Sequence, residues 1–383
     1  MSAGAYRWWD SALARLTGAA LLAGVVLAGC AAGSARPKPA ELPPNNPLLG
    51  VRLAWTAQLT PVNFPLQVNV LGNRVSLAAS DGTVLTLDAA TGSQLSRASV
   101  GAELSAGVGS DGQVSAVITR DNEVVALQDA RELWRHRLPT QSYTAPLVAG
   151  GRVFVLGADR SVRALDGRGG ALLWTLQRPA EPLVLRQAGV LMAVGNTLVA
   201  GMGGRLAGID PDIGSLRWEV PLASPRGTND VERLVDLVGG VYRQGNLVCA
   251  RAFQATVGCV DTVSGTQRWS RPAAGNSGVQ GDEERVYGAE SDGTVMAWRV
   301  DNGDRAWSSE RLQWRQLTGP LALGRSVVVG DETGLVHLLA RDDGSPVTRL
   351  TTDGSPIAAT PVAAANTLIV VTRKGGVFGF VPD

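Results

Sequence analysis

Beyond the first fifty residues, apolar and polar positions alternate in short runs, and each run is cut by glycine beside aspartate, asparagine or a second glycine. The stretch SDGTVLTLDAATGSQL (80–95) shows the unit. An Asp-Gly pair supplies the positive φ angles of a tight hairpin. Val84, Thr86 and Asp88 then alternate with Leu85 and Leu87, the period-two pattern of a strand with two faces. A second turn at AATG leads into another strand. Apolar spacing of helical period is not sustained anywhere after residue 30, so the chain reads as all-β.

The unit recurs. RDNEVVALQDARELW (120–134), DRSVRALDGRGGALLW (159–174), GGRLAGIDPDIGSLRW (203–218), FQATVGCVDTVSGTQRW (253–269), SDGTVMAWRVDNGDRAW (291–307) and ETGLVHLLARDDGSPV (332–347) are its relatives, and RKGGVFGF (373–380) is a truncated last copy. The apolar residues that restart the strand are Val84, Val124, Val162, Leu206, Val257, Val295, Val336 and Val377. Eight copies at about 40 residues each have the pitch of a four-stranded propeller blade. Trp134, Trp174, Trp218, Trp269 and Trp307 share one place in the outer strand, where a large aromatic fills the wedge between blades. The last copy lacks its outer strand, and VRLAWTAQL (51–59) resembles one, with Trp55 in the tryptophan place. An eight-bladed propeller closed by its N-terminal strand follows, and closure removes sheet edges that invite aggregation.

The first fifty residues are built differently. Arg7 and Arg15 precede an apolar run from Leu16 to Leu27, which is too short to span a bilayer at about 20 residues and has the order of a secretion signal. Its exit, Leu27-Ala28-Gly29-Cys30, resembles a bacterial lipobox, implying cleavage before Cys30 and acylation there. Ala31 in place of aspartate favours the periplasmic face of an outer membrane. Residues 31–50 hold Pro37, Pro39, Pro43, Pro44 and Pro47, and read as a stiff tether. The expected division is a signal peptide at 1–29, an acylated cysteine and tether at 30–50, and the propeller at 51–383.

Charge is nearly balanced, with 35 basic and 34 acidic residues, which argues against a nucleic-acid binder. Only two histidines, His136 and His337, and three cysteines occur, so no zinc-type cluster is expected. Asp88, Asp166, Asp210 and Asp261 recur at one repeat position and read as turn residues rather than catalysts. No nucleophile elbow is present. The expectation is a protein that is not an enzyme and takes no cofactor or metal.

The repeat DGTVLTLDAATGSQL resembles the pyrroloquinoline-quinone type, shared by quinoprotein dehydrogenases and by the BamB family of outer membrane assembly factors. The dehydrogenases need a central calcium, a catalytic aspartate and an adjacent cysteine pair, and are much longer. Lipobox, tether, length and copy number resemble the assembly factors across the chain. Within it, PLVLRQ (182–187) and NDVERLVDLVGG (229–240) are similar to the family's two docking loops. The resemblance implies a scaffold that holds the periplasmic domains of a BamA-like barrel-inserting channel, together with other assembly-complex lipoproteins and unfolded outer-membrane proteins. It carries Leu183, Leu185, Arg186, Arg233 and Asp236 as partner-binding residues. Val238 stands where the family has a second aspartate. Leu183 and Leu185 have a second reading, as the start of the innermost strand of blade 4. The alternative functions are a quinone-dependent dehydrogenase-like or a cell-wall-binding propeller.

Two features stand apart. Cys249 and Cys259 flank the hairpin LVCARAFQATVGCVD, equidistant from Gln254, and read either as a disulfide or as two small buried thiols. Trp298 replaces a Leu or Val of the repeat and reads as core, while Trp314 falls outside the repeat, on a possible rim contact.

Overall fold

The computed structural model describes residues 37–178, 183–224, 229 and 234–383. Eight antiparallel sheets of four strands each succeed one another as the blades of a propeller. Blade 1 comprises Asn69–Leu71, Arg74–Ala78, Thr83–Asp88 and Gln94–Ser99. Blades 2 to 7 span 104–137, 147–176, 191–221, 237–272, 279–309 and 321–351. Blade 8 takes Val362–Ala364, Thr367–Val371 and Gly376–Pro382 from the C-terminus, and its outer strand, Val51–Gln58, from the N-terminal side. That strand pairs with the last one from Val51↔Pro382 to Gln58↔Gly376. The expected closure is therefore the observed one.

The third strand of each blade differs from a half-buried strand. Val84, Leu85 and Leu87 are all buried, because each blade is covered on both faces by its neighbours. Period-two alternation here sorts side chains between two interfaces, not between core and water.

The interfaces are stitched by tryptophan. In six blades the outer-strand indole lies over a glycine in the third–outer turn of the next blade: Trp55 on Gly92, Trp134 on Gly170, Trp174 on Gly214, Trp218 on Gly265, Trp269 on Gly303 and Trp307 on Gly344. These glycines have φ between 62° and 74°, and a Cβ at Gly170 would stand 2.6 Å from the Trp134 ring. Both constraints select glycine. The indole N–H then donates to a carbonyl of the same turn, Trp55 to Ala89 at 3.1 Å, Trp134 to Gly167 at 2.9 Å, Trp269 to Val300 at 2.7 Å. Across the sheet each tryptophan faces a small residue: Gly379, Ala126, Ala164, Gly208, Cys259 or Ala297.

Two blades break the pattern, and each break has a cause next door. Blade 7 carries Thr348 opposite Leu338, and it faces blade 8, where the outer strand comes from Val51–Gln58 and no turn joins it to the third strand. Blade 1 carries Ser96 opposite Thr86, and it faces blade 2, whose turn is the short Asp129-Ala130. There the cross-strand row is polar throughout, Asn69–Ser76–Thr86–Ser96, and a cleft of about 440 Å³ remains.

The proline-rich tether does not stay free over the whole of 30–50. From Ala40 onward it lies on the propeller. Ala40 N–H donates to the Gln313 carbonyl at 2.9 Å, and Arg315 donates to the Ala40 carbonyl at 3.0 Å. Arg349 reaches the Pro43 carbonyl at 3.2 Å, Asn45 the Arg349 carbonyl at 3.0 Å, and Leu48 N–H the Val347 carbonyl at 2.8 Å. Leu42 packs on the cluster of Trp307 and Leu312. Proline removes N–H donors but leaves its carbonyls, and Arg349 on the open outer edge of blade 7 binds that of Pro43.

Replacing Trp55 by alanine should cost about 3–5 kcal/mol, the range for truncating a buried aromatic. It removes the stitch at the ring's closing junction. Chemical denaturation of Trp55→Ala beside wild type checks this, and an unchanged midpoint would contradict the stitching.

Candidate partner-binding rim

An antiparallel four-stranded blade sends its second–third turn and its connection to the next blade to the same rim. We call this the crossover rim. Every sequence-derived docking candidate within the described residues lies there, while Arg233 and Cys30 lie outside them.

Leu183, Leu185 and Arg186 belong to the connection between blades 3 and 4. They precede the innermost strand of blade 4, which is Leu191–Val194. The reading of Leu183 and Leu185 as the start of that strand is thus corrected. The five residues from Arg186 to Val190 form bends and loop instead. Leu183 is 41% exposed, Leu185 is half-buried and Arg186 is exposed. Arg186 makes no ion pair among the described residues and borders the central opening beside Phe64, Gln187 and Asn276.

Asp236 lies in the next connection, between blades 4 and 5, and its carboxylate is turned inward. One oxygen is 3.2 Å from Nη2 of Arg160, with the two side chains only 16% and 12% exposed. The other accepts the Leu185 N–H at 3.0 Å. Gly239 N–H donates to the Ala188 carbonyl at 2.6 Å. The two segments, some fifty residues apart in sequence, are therefore one clamped surface. Asp236 positions Leu185 rather than presenting itself to solvent. Val238, at the family's second acidic position, is 2% exposed on the innermost strand of blade 5, a site where a carboxylate would be desolvated without a partner.

Arg160 is the residue that the sequence reading missed. It carries φ +59° in the turn where blades 1 and 6 have Gly82 and Gly293 at φ +94° and +87°. A bulky residue in the left-handed region is strained, and here its guanidinium lies over Gly203, where a Cβ would meet it at 3.2 Å. The signal was present as Asp159-Arg160 in place of the repeat's Asp-Gly.

The remaining chemistry is structural. Asp88, Asp166, Asp210 and Asp261 each accept two backbone N–H groups of the following turn. The Ser264 N–H and Arg268 hold Asp261 down at about 2, so it stays an acceptor and exchanges no proton near neutrality. Burial alone would raise Asp331. Hydrogen bonds from His337 at 2.9 Å and Arg315 at 2.7 Å pull it well below the usual carboxylate range instead. Among the described residues, no group of three or more His, Cys, Asp or Glu side chains is placed to hold a metal ion. Cys249 and Cys259 face each other across the second and third strands of blade 5. Both are fully buried, with Cα atoms 3.9 Å apart and sulfurs within bonding distance. Trp298 is buried, as expected, while Trp314 is 37% exposed on the crossover rim.

Comparison with known proteins agrees with the eight-bladed fold. A family model described as outer membrane protein assembly factor BamB matches residues 80–309. The BamB of Burkholderia pseudomallei (strain K96243) is 39% identical over 363 residues, covering 94% of this chain and 95% of its own. The chain belongs to the BamB family of outer membrane protein assembly factors. The crystal structure of BamB from Moraxella catarrhalis superposes with a TM-score of 0.79 at 22% identity, covering 86% of this chain and 99% of that one. A quinohemoprotein alcohol dehydrogenase from Comamonas testosteroni shares the fold at a TM-score of 0.67 and 14% identity, over 87% of this chain and 77% of its own. The dehydrogenase likeness is thus one of fold alone, and the weaker of the two.

Removing the Asp236 carboxylate leaves Arg160 mostly buried and unpaired, which should cost about 3 kcal/mol. It also frees the Leu185 amide. Asp236→Ala should show faster hydrogen exchange at Leu185 and its neighbours with the blades still protected. Unchanged exchange there would mean the clamp does not hold the loop.

Proposed function

We propose that the protein is a lipid-anchored scaffold of the outer-membrane barrel assembly machinery. The clamped segment of the crossover rim, 183–187 with 234–240, docks the periplasmic domains of a BamA-like channel. The observation that supports this reading is the clamp itself. Asp236 and Ala188 join two distant segments so that Leu183 and Arg186 are both exposed on one clamped surface, an apolar contact beside a cation with no ion pair among the described residues. Leu183 and Arg186 are the contact residues, while Leu185 and Asp236 act by holding them in place. Arg233 completes the acidic-loop side by resemblance alone. Acylation at Cys30 keeps the scaffold at the membrane that holds its partner. Binding then becomes effectively intramolecular, so a modest interface suffices.

Arg186→Glu should fold with the melting temperature of wild type, because no ion pair among the described residues depends on its charge. It should recover at least several-fold less barrel protein when the tagged protein is extracted from membranes and purified. Equal recovery would remove Arg186 from the interface, and the absence of any barrel protein with wild type would sink the scaffold reading.

We further propose that Cys249 and Cys259 form a structural disulfide, since the bacterial periplasm is oxidising and the pair is already aligned across the hairpin. Intact mass of the protein alkylated while unfolded in denaturant, without reductant, should show neither of these two thiols modified. Two added alkyl groups there would establish buried free thiols instead.

A further inference from the structure

Trp314 is the feature that neither the repeat nor the docking rim absorbs. It is the only tryptophan in the exposed class among the described residues. Its indole N–H makes no hydrogen bond among them, whereas five others donate to a neighbouring turn. Its backbone has φ +61°, a conformation that costs a bulky residue energy and is kept only where the surroundings enforce it. The surroundings do enforce it. Trp314 N–H donates to the Asp292 carbonyl at 2.7 Å, and the next residue, Arg315, is bound to Asp331 at 2.7 Å and to Thr333 at 3.0 Å. A hydrogen-bonded loop thus holds one large aromatic, a little over a third exposed, at a strained position.

The same loop fixes the point where the N-terminal chain leaves the propeller. Ala40 is held by Gln313 on one side of Trp314 and by Arg315 on the other. Had the tether been free up to Val51, the twenty-one residues from Cys30 would reach about 70 Å. With Ala40 fixed, only ten residues remain, and they span at most about 36 Å. If Cys30 is acylated, Ala40 and its loop are therefore held within about 36 Å of the lipid surface. That range includes the headgroup region, which suits an apolar ring carrying one polar N–H.

We infer that the crossover rim at Trp314 faces the lipid surface, and that Trp314 is a second contact with the membrane besides the acyl chains. This rests on the lipid-anchored reading of Cys30. Glu310 and Arg311 in the same loop offset each other in charge, so the contact is made by the aromatic ring and is insensitive to salt.

The full-length protein, with its acyl mass verified, is placed in vesicles of phosphatidylethanolamine and phosphatidylglycerol. An environment-sensitive fluorophore is attached at Trp314→Cys or, on the opposite rim, at Ala90→Cys. The 314 label should emit blue-shifted and be quenched several-fold more by brominated lipid than the 90 label, equally at low and high salt. Equal quenching at the two positions would overturn the inference. So would protection at 314 that appears only after periplasmic partner domains are added, which would make Trp314 a protein contact. A mass without acyl groups would defeat the anchor reading, and this one with it. Independently, Trp314→Gly should raise the melting temperature, because glycine accepts the left-handed backbone. A lowered melting temperature would show that the tryptophan is held for packing.

Discussion

The stacking of an outer-strand tryptophan on a glycine turn of the next blade is the contact on which the ring depends. Each blade is a twisted sheet that splays away from its neighbours toward the outside, and the indole fills the widening gap. Its N–H satisfies a turn carbonyl that would otherwise face the gap alone. The glycine serves twice, by its positive φ and by its missing Cβ. Neither partner is useful without the other, and where the receiving turn is short or absent, at the 1–2 and 7–8 junctions, the tryptophan is absent too.

A closed ring makes the rims rigid, and function is built on that rigidity. Connections that wander in an open sheet are here held between fixed turns. Asp236 can draw the Leu185 amide to a defined place only because Arg160 is itself held by blade 3. On the blade 6–7 connection, Arg315 and Asp331 do the same for the N-terminal chain. In both cases a mostly buried ion pair holds a surface feature in position. Such pairs add little net stability, but they are costly to break.

The fold was largely legible. Turn glycines, period-two strands and a 40-residue pitch gave the blade count, and the isolated VRLAWTAQL strand gave the closure, because these are local properties that repeat. The candidate site was only partly legible. Leu183 and Arg186 are exposed, whereas the Asp236 carboxylate is bound to Arg160 and to the Leu185 amide, and Arg160 was missed. Prolines signal a stiff tether in sequence, whereas the backbone and amide groups that dock it on blade 7 carry no sequence signal.

The sequence by itself determined the repeating element, the number of blades and the strand that seals the ring. Each rests on residues within a turn or two of one another, where backbone preference and side-chain alternation act directly. The tertiary structure alone decided which connections share a rim, which carboxylate faces inward, and where the N-terminal chain departs. Those outcomes depend on contacts between residues tens to hundreds of positions apart, such as Asp236 with Leu185 and Arg315 with Ala40. The closed ring sets their distances, and no local pattern encodes those distances.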